Sequence, residues 1–428
     1  MRLTLAILLG KLISFLTKYL KIGGGSAAPG LYALKVCPDL VEKLAGRIPK
    51  NVVITGTNGK TTTAKMLAHF AKESGLKVIR NHTGSNLERG IASTLIQSLS
   101  LHLGCGKLNF DLGIWELDEA AFNTVAPKLK PDVVVFLNVF RDQLDRYGEI
   151  DTVVKKWQET IKKFPPETQI LVNGDDTNTS KLAAGLKGKV KKFGIKDYKI
   201  VGESIENLKE KEKLNFEAKN VKLHGLIGSS FDFTIHHTPY TIHLPLPGLY
   251  HIYDALAAFA CTHLLGLPTH RLTDALNHYT PAFGRVEKLD FGYIFLIKNP
   301  AGATQVFETI APNIKPGDRL LLALNDNLAD GTDVSWIWDA MFEKLRTTNY
   351  ELRTICSGSR AYDLATRLKY AGFEAKQIMV ESDLKKAFKE ARKGLKGQLF
   401  ILPTYTAMLE LQSILARSGL KKPYWEDV

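Results

Sequence analysis

Residues 52–63 read VVITGTNGKTTT, and the architecture of the chain turns on this run. Val52, Val53 and Ile54 form a short apolar stretch of the kind that makes a buried strand, and Met66, Leu67 and Phe70 recur at helical spacing beyond the glycines. Strand, glycine loop and helix in that order make a phosphate cradle. Gly56, Thr57, Asn58 and Gly59 let backbone N–H groups close on phosphate oxygens, Lys60 adds a positive charge, and Thr61 or Thr62 offers a hydroxyl to magnesium. The longer loop G-x-x-x-x-G-K-[ST] would need glycine at position 54, where the chain has Ile54, so the form here is the shorter G-T-N-G-K-T-T. A triphosphate is the ligand this chemistry implies.

Further segments follow at the ends of apparent strands and helices. DLGIWELDE, 111–119, leaves Glu116 at a strand end, where an ordinary surface acid is the plain alternative. VVVFLNVFRDQLDRYGEID, 133–151, carries a third apolar strand and then Asn138, Asp142 and Asp145-Arg146-Tyr147-Gly148. ILVNGDDT, 170–177, sets Asn173 and Asp176 after another strand, although Asn-Gly-Asp-Asp is also a simple turn signal. GLYHIYDALAAFA, 248–260, reads as a helix with an alanine-rich face, on which a satisfied histidine is the ordinary reading of His251; FGRVE, 283–287, offers Arg285 as a phosphate contact.

Taken together these segments resemble the Mur ligase and folylpolyglutamate synthetase superfamily, whose ATP loop GTNGKTT matches. Glu116 is similar to the superfamily's magnesium-binding glutamate, the 138–148 stretch to its N-x-x-x-D-H-L-D-x-H-G segment, ILVNGDDT to its adenine-side segment, and residues 248–260 to its G-x-x-N-x-x-N-x-L-A-A helix. Gln143 and Tyr147 stand where the superfamily has histidines, and His251 and Asp254 where it has asparagines. The resemblance implies joining of a carboxylate to an amine through an acyl phosphate, with ATP and Mg2+ as cofactors. Lys60 and Glu116 would be catalytic, and Thr61 and Glu116 would share the metal. Gly56, Thr57, Asn58, Gly59, Thr62, Asn138, Asn173, Asp176, His251 and Arg285 would line the nucleotide.

Past Arg285, three apolar strands near 319–324, 352–356 and 398–402 alternate with helices and predict a Rossmann-like parallel sheet. NDNLADGTDVSWIWD, 325–339, suggests calcium ligation by its aspartates, but Leu328 and Ile337 stand where oxygen ligands are needed. A glycine turn into a helix starting near Asp333, with Trp336 and Trp338 packing, fits better. KNPAG, LNDNxADGxDxSW, SGxRAxDLAxRL and YTAM in this third are similar to the MurT family, the ligase subunits of lipid II isoglutaminyl synthases, and the likeness covers nearly the whole chain. It implies ATP-dependent amidation of the α-carboxylate of D-glutamate in the lipid II stem peptide. Ammonia would come from a glutaminase subunit of the GatD type in a heterodimer, and Asp333 would reach into that partner to complete its Cys-His site. Some relatives carry a four-cysteine zinc ribbon in the region corresponding to 195–245; that region has no cysteine here, so no zinc is expected, and His236-His237 read as hairpin residues.

The whole chain sets outer bounds. Its 428 residues, 45% hydrophobic and 24% charged, suffice for several domains. The expected division is a helical N-terminal segment at 1–45, a Mur ligase-type central ATP-binding domain at 46–287 with a variable β-rich insertion at 195–245, and a Rossmann-like α/β domain at 288–428. Cys37, Cys105, Cys261 and Cys356 lie far apart, so a reducing cytoplasm is the natural setting. The net charge of +13 attracts anions, but no RNA-binding aromatic signature or zinc-finger spacing supports nucleic acid, and KEKEK at 209–213 reads as a solvated face. MRLTLAILLGKLISFLTKYLKI at the start is interrupted by Lys11 and Lys18, which disfavours a spanning helix. It suits an amphipathic helix at the inner face of the cytoplasmic membrane, with a core-docking helix as the alternative. A ligase using an amino acid as nucleophile, or an inactive nucleotide-binding scaffold, would share the same loop.

Overall fold

Apolar strands alternating with helices build two sheets in succession. The computed structural model describes residues 1–19, 27–81, 85–99, 108–140, 150–183, 186, 190–202, 204–207, 214–235, 238–268, 272–277, 279, 286–346 and 351–421. Three helices come first: α1 (Arg2–Tyr19), α2 (Ala28–Val36) and α3 (Leu40–Ala45). Then follow β1 (Lys50–Thr55), α4 (Lys60–Glu73), β2 (Val78–Arg80), α5 (Glu88–Ser98), β3 (Leu112–Glu116), α6 (Glu119–Leu129), β4 (Val133–Phe136), α7 (Ile150–Ile161), β5 (Gln169–Asn173), the short α8 (Thr177–Ser180) and β6 (Val190–Ile195). Next come β7 (Tyr198–Val201), β8 (Ser204–Asn207), β9 (Phe216–Leu223), β10 (Ser229–Ile235), β11 (Thr238–Leu244), α9 (Leu249–Leu264) and α10 (Leu272–Asn277).

Among the described residues the first sheet has nine strands in the order β11-β10-β9-β6-β5-β4-β1-β3-β2. The apolar run 52–54 is its centre: Val52 lies opposite Ile114 of β3 and Val133 of β4, both parallel. Successive side chains of a strand face opposite sides, so Val52 and Ile54 join one core with Phe70 and Phe259, and Val53 joins the other with Trp115, Phe122 and Trp157. Helices therefore cover both faces, as a parallel sheet requires. The segment 195–245 contributes a separate hairpin, β7 with β8, and the antiparallel extension β9-β10-β11. His236, His237 and KEKEK lie outside the described residues.

The second sheet comprises β12 (Glu287–Leu289), β13 (Gly292–Ile294), β14 (Arg319–Ala323), β15 (Arg353–Ser357), β16 (Ile378–Val380) and β17 (Leu399–Pro403), in the order β12-β13-β17-β14-β15-β16. All pairs are parallel except β12 with β13. Its helices are α11 (Pro300–Ile310), α12 (Ala361–Tyr370), α13 (Leu384–Arg392) and α14 (Tyr405–Arg417). The helix expected near Asp333 is instead a 3-10 turn, Ser335–Trp338. A longer helix needs Met341 N–H on the Ile337 carbonyl, but it donates to Thr304 Oγ1 at 3.1 Å instead, and that carbonyl accepts from Arg367 Nε at 2.9 Å. Trp336 packs on the core as expected, whereas Trp338 is half exposed with its ring edge-on to Tyr370.

α1 docks on the body of the protein along one side, as the core-docking alternative expects, and leaves an apolar side exposed. Ala6, Gly10 and Ser14 are buried against α2 and α5; Gln97 donates to Ser14 Oγ at 3.3 Å and Lys11 donates to the Leu99 carbonyl. On the opposite side Leu5, Leu8, Leu12, Phe15 and Tyr19 are exposed. No described helix is long and apolar enough to cross a membrane.

Candidate functional site

The loop after β1 sits at the C-terminal end of the parallel strands, where such sheets hold ligands. Gly59 is left-handed, φ 88°, and a Cβ there would lie 2.1 Å from Asp254 Oδ1, so only glycine lets α9 come this close. Asn138, just past β4, braces the loop: its Oδ1 accepts from Asn58 N at 2.8 Å, its Nδ2 donates to Asn58 O at 3.0 Å, and its carbonyl accepts from Thr57 N at 3.0 Å. Lys60, buried at the start of α4, donates to the carbonyls of Gly56 and Thr57 and faces Glu119 Oε2 at 3.8 Å.

β3 delivers Glu116 to the same place. Thr61 Oγ1 donates to Glu116 Oε2 at 2.7 Å, and Arg80 stands 3.9 Å from Oε1. Asn81 holds the Glu116 backbone from both sides, accepting from its N–H and donating to its carbonyl, each at 2.9 Å. A hydroxyl beside a buried carboxylate is a donor pair suited to Mg2+, which takes few protein ligands and keeps water or phosphate for the rest. Among the described residues no three His, Cys, Asp or Glu side chains cluster as metal ligands.

A cleft adjoins the loop, lined by Asn58, Gly59, Asn138, Asn173, Tyr250 and Asp254 among others. Asn173 is fully buried and its Nδ2, like the Thr62 hydroxyl, has no hydrogen-bond partner among the described residues. Buried donors are ordinarily satisfied, so both suit a bound nucleotide. Asp176 is occupied differently: it caps α8, accepting from Asn178 N at 2.9 Å and Thr179 N at 2.7 Å, and its other oxygen accepts from Val139 N at 3.3 Å. Burial pushes its carboxyl up to about 6 despite those donors. His251 is buried, with Nδ1 3.2 Å from Asp254 Oδ2, so the pair that replaces two asparagines faces itself beside Gly59. Asp142, Gln143, Asp145, Arg146, Tyr147, Gly148 and Arg285 lie outside the described residues.

The second sheet closes on the loop through residues not singled out from sequence. Asn299, which caps α11, exchanges two amide hydrogen bonds with Asn58, at 3.1 and 3.0 Å, and Lys298 donates to the Thr57 carbonyl at 3.4 Å. KNPAG carries both; its proximity to the loop, 241 residues away, has no local signal. Asp333 is not at this site. It lies exposed beyond β14, its Oδ1 accepting from Ser335 N at 2.8 Å.

Comparisons with known proteins agree with this arrangement. The Mur ligase middle domain matches residues 54–262 and the MurT ligase C-terminal domain residues 296–408. The chain is 32% identical to the lipid II isoglutaminyl synthase (glutamine-hydrolyzing) subunit MurT of Streptococcus pneumoniae, over 97% of each chain. It is 31% identical to that of Staphylococcus aureus, over 92% of this chain and 93% of the relative. Among solved structures, MurF from Acinetobacter baumannii superposes with a TM-score of 0.68 at 15% identity, covering 91% of this chain and 80% of that one. Folylpolyglutamate synthase of Mycobacterium tuberculosis complexed with ADP gives 0.65 at 15% identity, covering 90% and 94%. These two show the fold.

Proposed function

Since the chain belongs to the MurT family of the Mur ligases, and is a ligase of that ATP-dependent kind, we propose that it amidates the α-carboxylate of D-glutamate in the lipid II stem peptide. The nitrogen is ammonia from a GatD-type glutaminase subunit with which the chain forms a heterodimer. The observation that carries the nucleotide half is the Thr61–Glu116 contact beside Lys60 at the mouth of the loop. On this reading residues 46–287 bind ATP, 288–428 form the MurT-type domain, and 1–45 face the inner surface of the cytoplasmic membrane, where lipid II is reached.

Lys60, already held over the loop carbonyls, is placed to follow the charge that develops as a substrate carboxylate oxygen attacks the γ-phosphorus and ADP leaves. Ammonia then attacks the acyl carbon, phosphate departs, and the nitrogen loses a proton. Thr61 and Glu116 would hold Mg2+, which when bound neutralises phosphate charge. Asn173 Nδ2 and the Thr62 hydroxyl would take hydrogen bonds to the nucleotide. Asp333 would orient the partner's histidine, a role that a carboxylate on another chain can fill.

With the glutaminase added, Lys60→Ala is expected to abolish amidation from both glutamine and free ammonia, by roughly a hundredfold or more. Asp333→Asn is expected to remove only the glutamine-dependent reaction. Equal loss from both nitrogen sources in Asp333→Asn would refute the role given to Asp333, and full activity of Lys60→Ala would refute the site.

A further inference from the structure

YTAM, 405–408, matched the MurT family without a task attached to it, and the second sheet gives it one. The segment from Leu324 to Val334 crosses the C-terminal ends of β14, β15 and β17 with Asp333 near its far end. It is rich in short polar residues, and Leu328 is 87% exposed, so past Leu324 apolar packing does little to order it. Ser359 holds its first half, donating its N–H to Asn325 Oδ1 at 3.0 Å and its hydroxyl to Asp326 at 2.7 Å; Thr406 ties that half to Asp330. A hydroxyl has one hydrogen and two lone pairs; Thr406 Oγ1 gives its hydrogen to Asp330 Oδ2 and accepts from Asn325 Nδ2 at 3.0 Å and Asn327 Nδ2 at 2.9 Å. Its whole capacity is spent on three residues of one loop.

The backbone repeats the attachment. Thr404, the cap residue of α14, makes no side-chain cap bond; its hydroxyl accepts from Asn325 N at 3.0 Å instead. Asp330 takes over, accepting from Thr406 N, in the first turn of α14, at 2.8 Å. A carboxylate there is favoured by the helix dipole as well. Immediately after this fixed point Gly331, buried with φ 90°, turns the chain, and Val334 is buried in the core. Asp333 is thus held between two anchored neighbours while itself exposed.

We propose that the Asp330–Thr406 clasp is a positioning device that presents Asp333 to the glutaminase partner, an inference that rests on the role proposed above for Asp333. Thr406→Val keeps the side-chain shape and removes the hydroxyl. In the complex with the glutaminase it is expected to lower glutamine-dependent amidation about tenfold or more, since small displacements of a reacting group have effects of that order. Amidation from free ammonia is expected to stay within about twofold, and Thr406→Ser to restore the glutamine rate. Asp330→Ala, which removes both acceptors, should reproduce the split. Parallel loss of both rates, with an early melting transition, would make the clasp a general stabiliser and overturn the proposal, as would an unchanged glutamine rate alongside a defective Asp333→Asn. If Asp333→Asn itself uses glutamine normally, the role of Asp333 fails first and takes the clasp with it.

Discussion

A carboxylate that caps a helix while shut away from water is under opposing pressures, and Asp176 is such a residue, 2% exposed with its oxygens on three backbone N–H groups. With its folded value raised from 3.8 to about 6, the native state binds more protons than the unfolded chain between those limits, so stability falls as pH rises through that window. Asparagine caps about as well as aspartate and carries no charge. Urea unfolding of Asp176→Asn and the parent at pH 4 and pH 7 should show the parent losing ground by roughly 2–3 kcal/mol, the equivalent of the shift; a constant difference would disprove the burial argument. Lys60 and Thr61 were legible from the loop motif itself, whereas Glu116, 55 residues further on, was singled out only by its resemblance to the superfamily's glutamate, and its contact with Thr61 is a product of the fold. Asn173 was legible as a position, but the lack of a partner for its Nδ2 depends on packing from distant elements. Lys298 and Asn299 were quoted only as part of a motif, since nothing local says that they touch Thr57 and Asn58.

At the scale of elements, α1 carries the clearest division of surfaces. Leu5, Leu8, Leu12, Phe15 and Tyr19 recur at helical spacing and stay exposed, an amount of apolar surface that a helix seldom leaves in water. If that stripe rests on lipid, Leu8→Ser with Leu12→Ser should weaken co-sedimentation with anionic vesicles by about tenfold or more, given ~1.5–3 kcal/mol per fully buried leucine. Melting of the protein should be unchanged, because neither residue is in a core; unaltered sedimentation would rule the stripe out. The helix itself was visible in the sequence. Its seat was not, since Ala6, Gly10 and Ser14, though spaced for one face, are small and carry no apolar signature, and matter only because α2 and α5 approach them. The strands of the second sheet were equally visible as apolar runs, whereas the shortness of the turn after Asp333 was hidden, because the Met341 N–H that would extend it goes to Thr304 of α11.

For the molecule as a whole, the two sheets communicate at the loop through the reciprocal amides of Asn58 and Asn299. Asn299→Ala removes both bonds and the cap of α11, a loss of about 1–2 kcal/mol for each kind of interaction. It should raise the KM for ATP several-fold and depress amidation from glutamine and from ammonia alike, unlike any change at Asp333; an unaltered KM for ATP would show that the joint does not serve the nucleotide. The overall plan, a phosphate-loop sheet followed by a Rossmann-like one, could be read from strand and helix alternation, but the join could not, because it is a pairing of two neutral side chains without charge or apolar pattern. The seating of α1 has one more consequence. A helix packed on α2 and tied at its middle to the end of α5, by Lys11 on the Leu99 carbonyl and Gln97 on Ser14, cannot swivel independently of the body that carries the cleft. A protein lying on such a surface would have a fixed heading, with the mouth of the nucleotide cleft at one set tilt and height above the lipid for every copy.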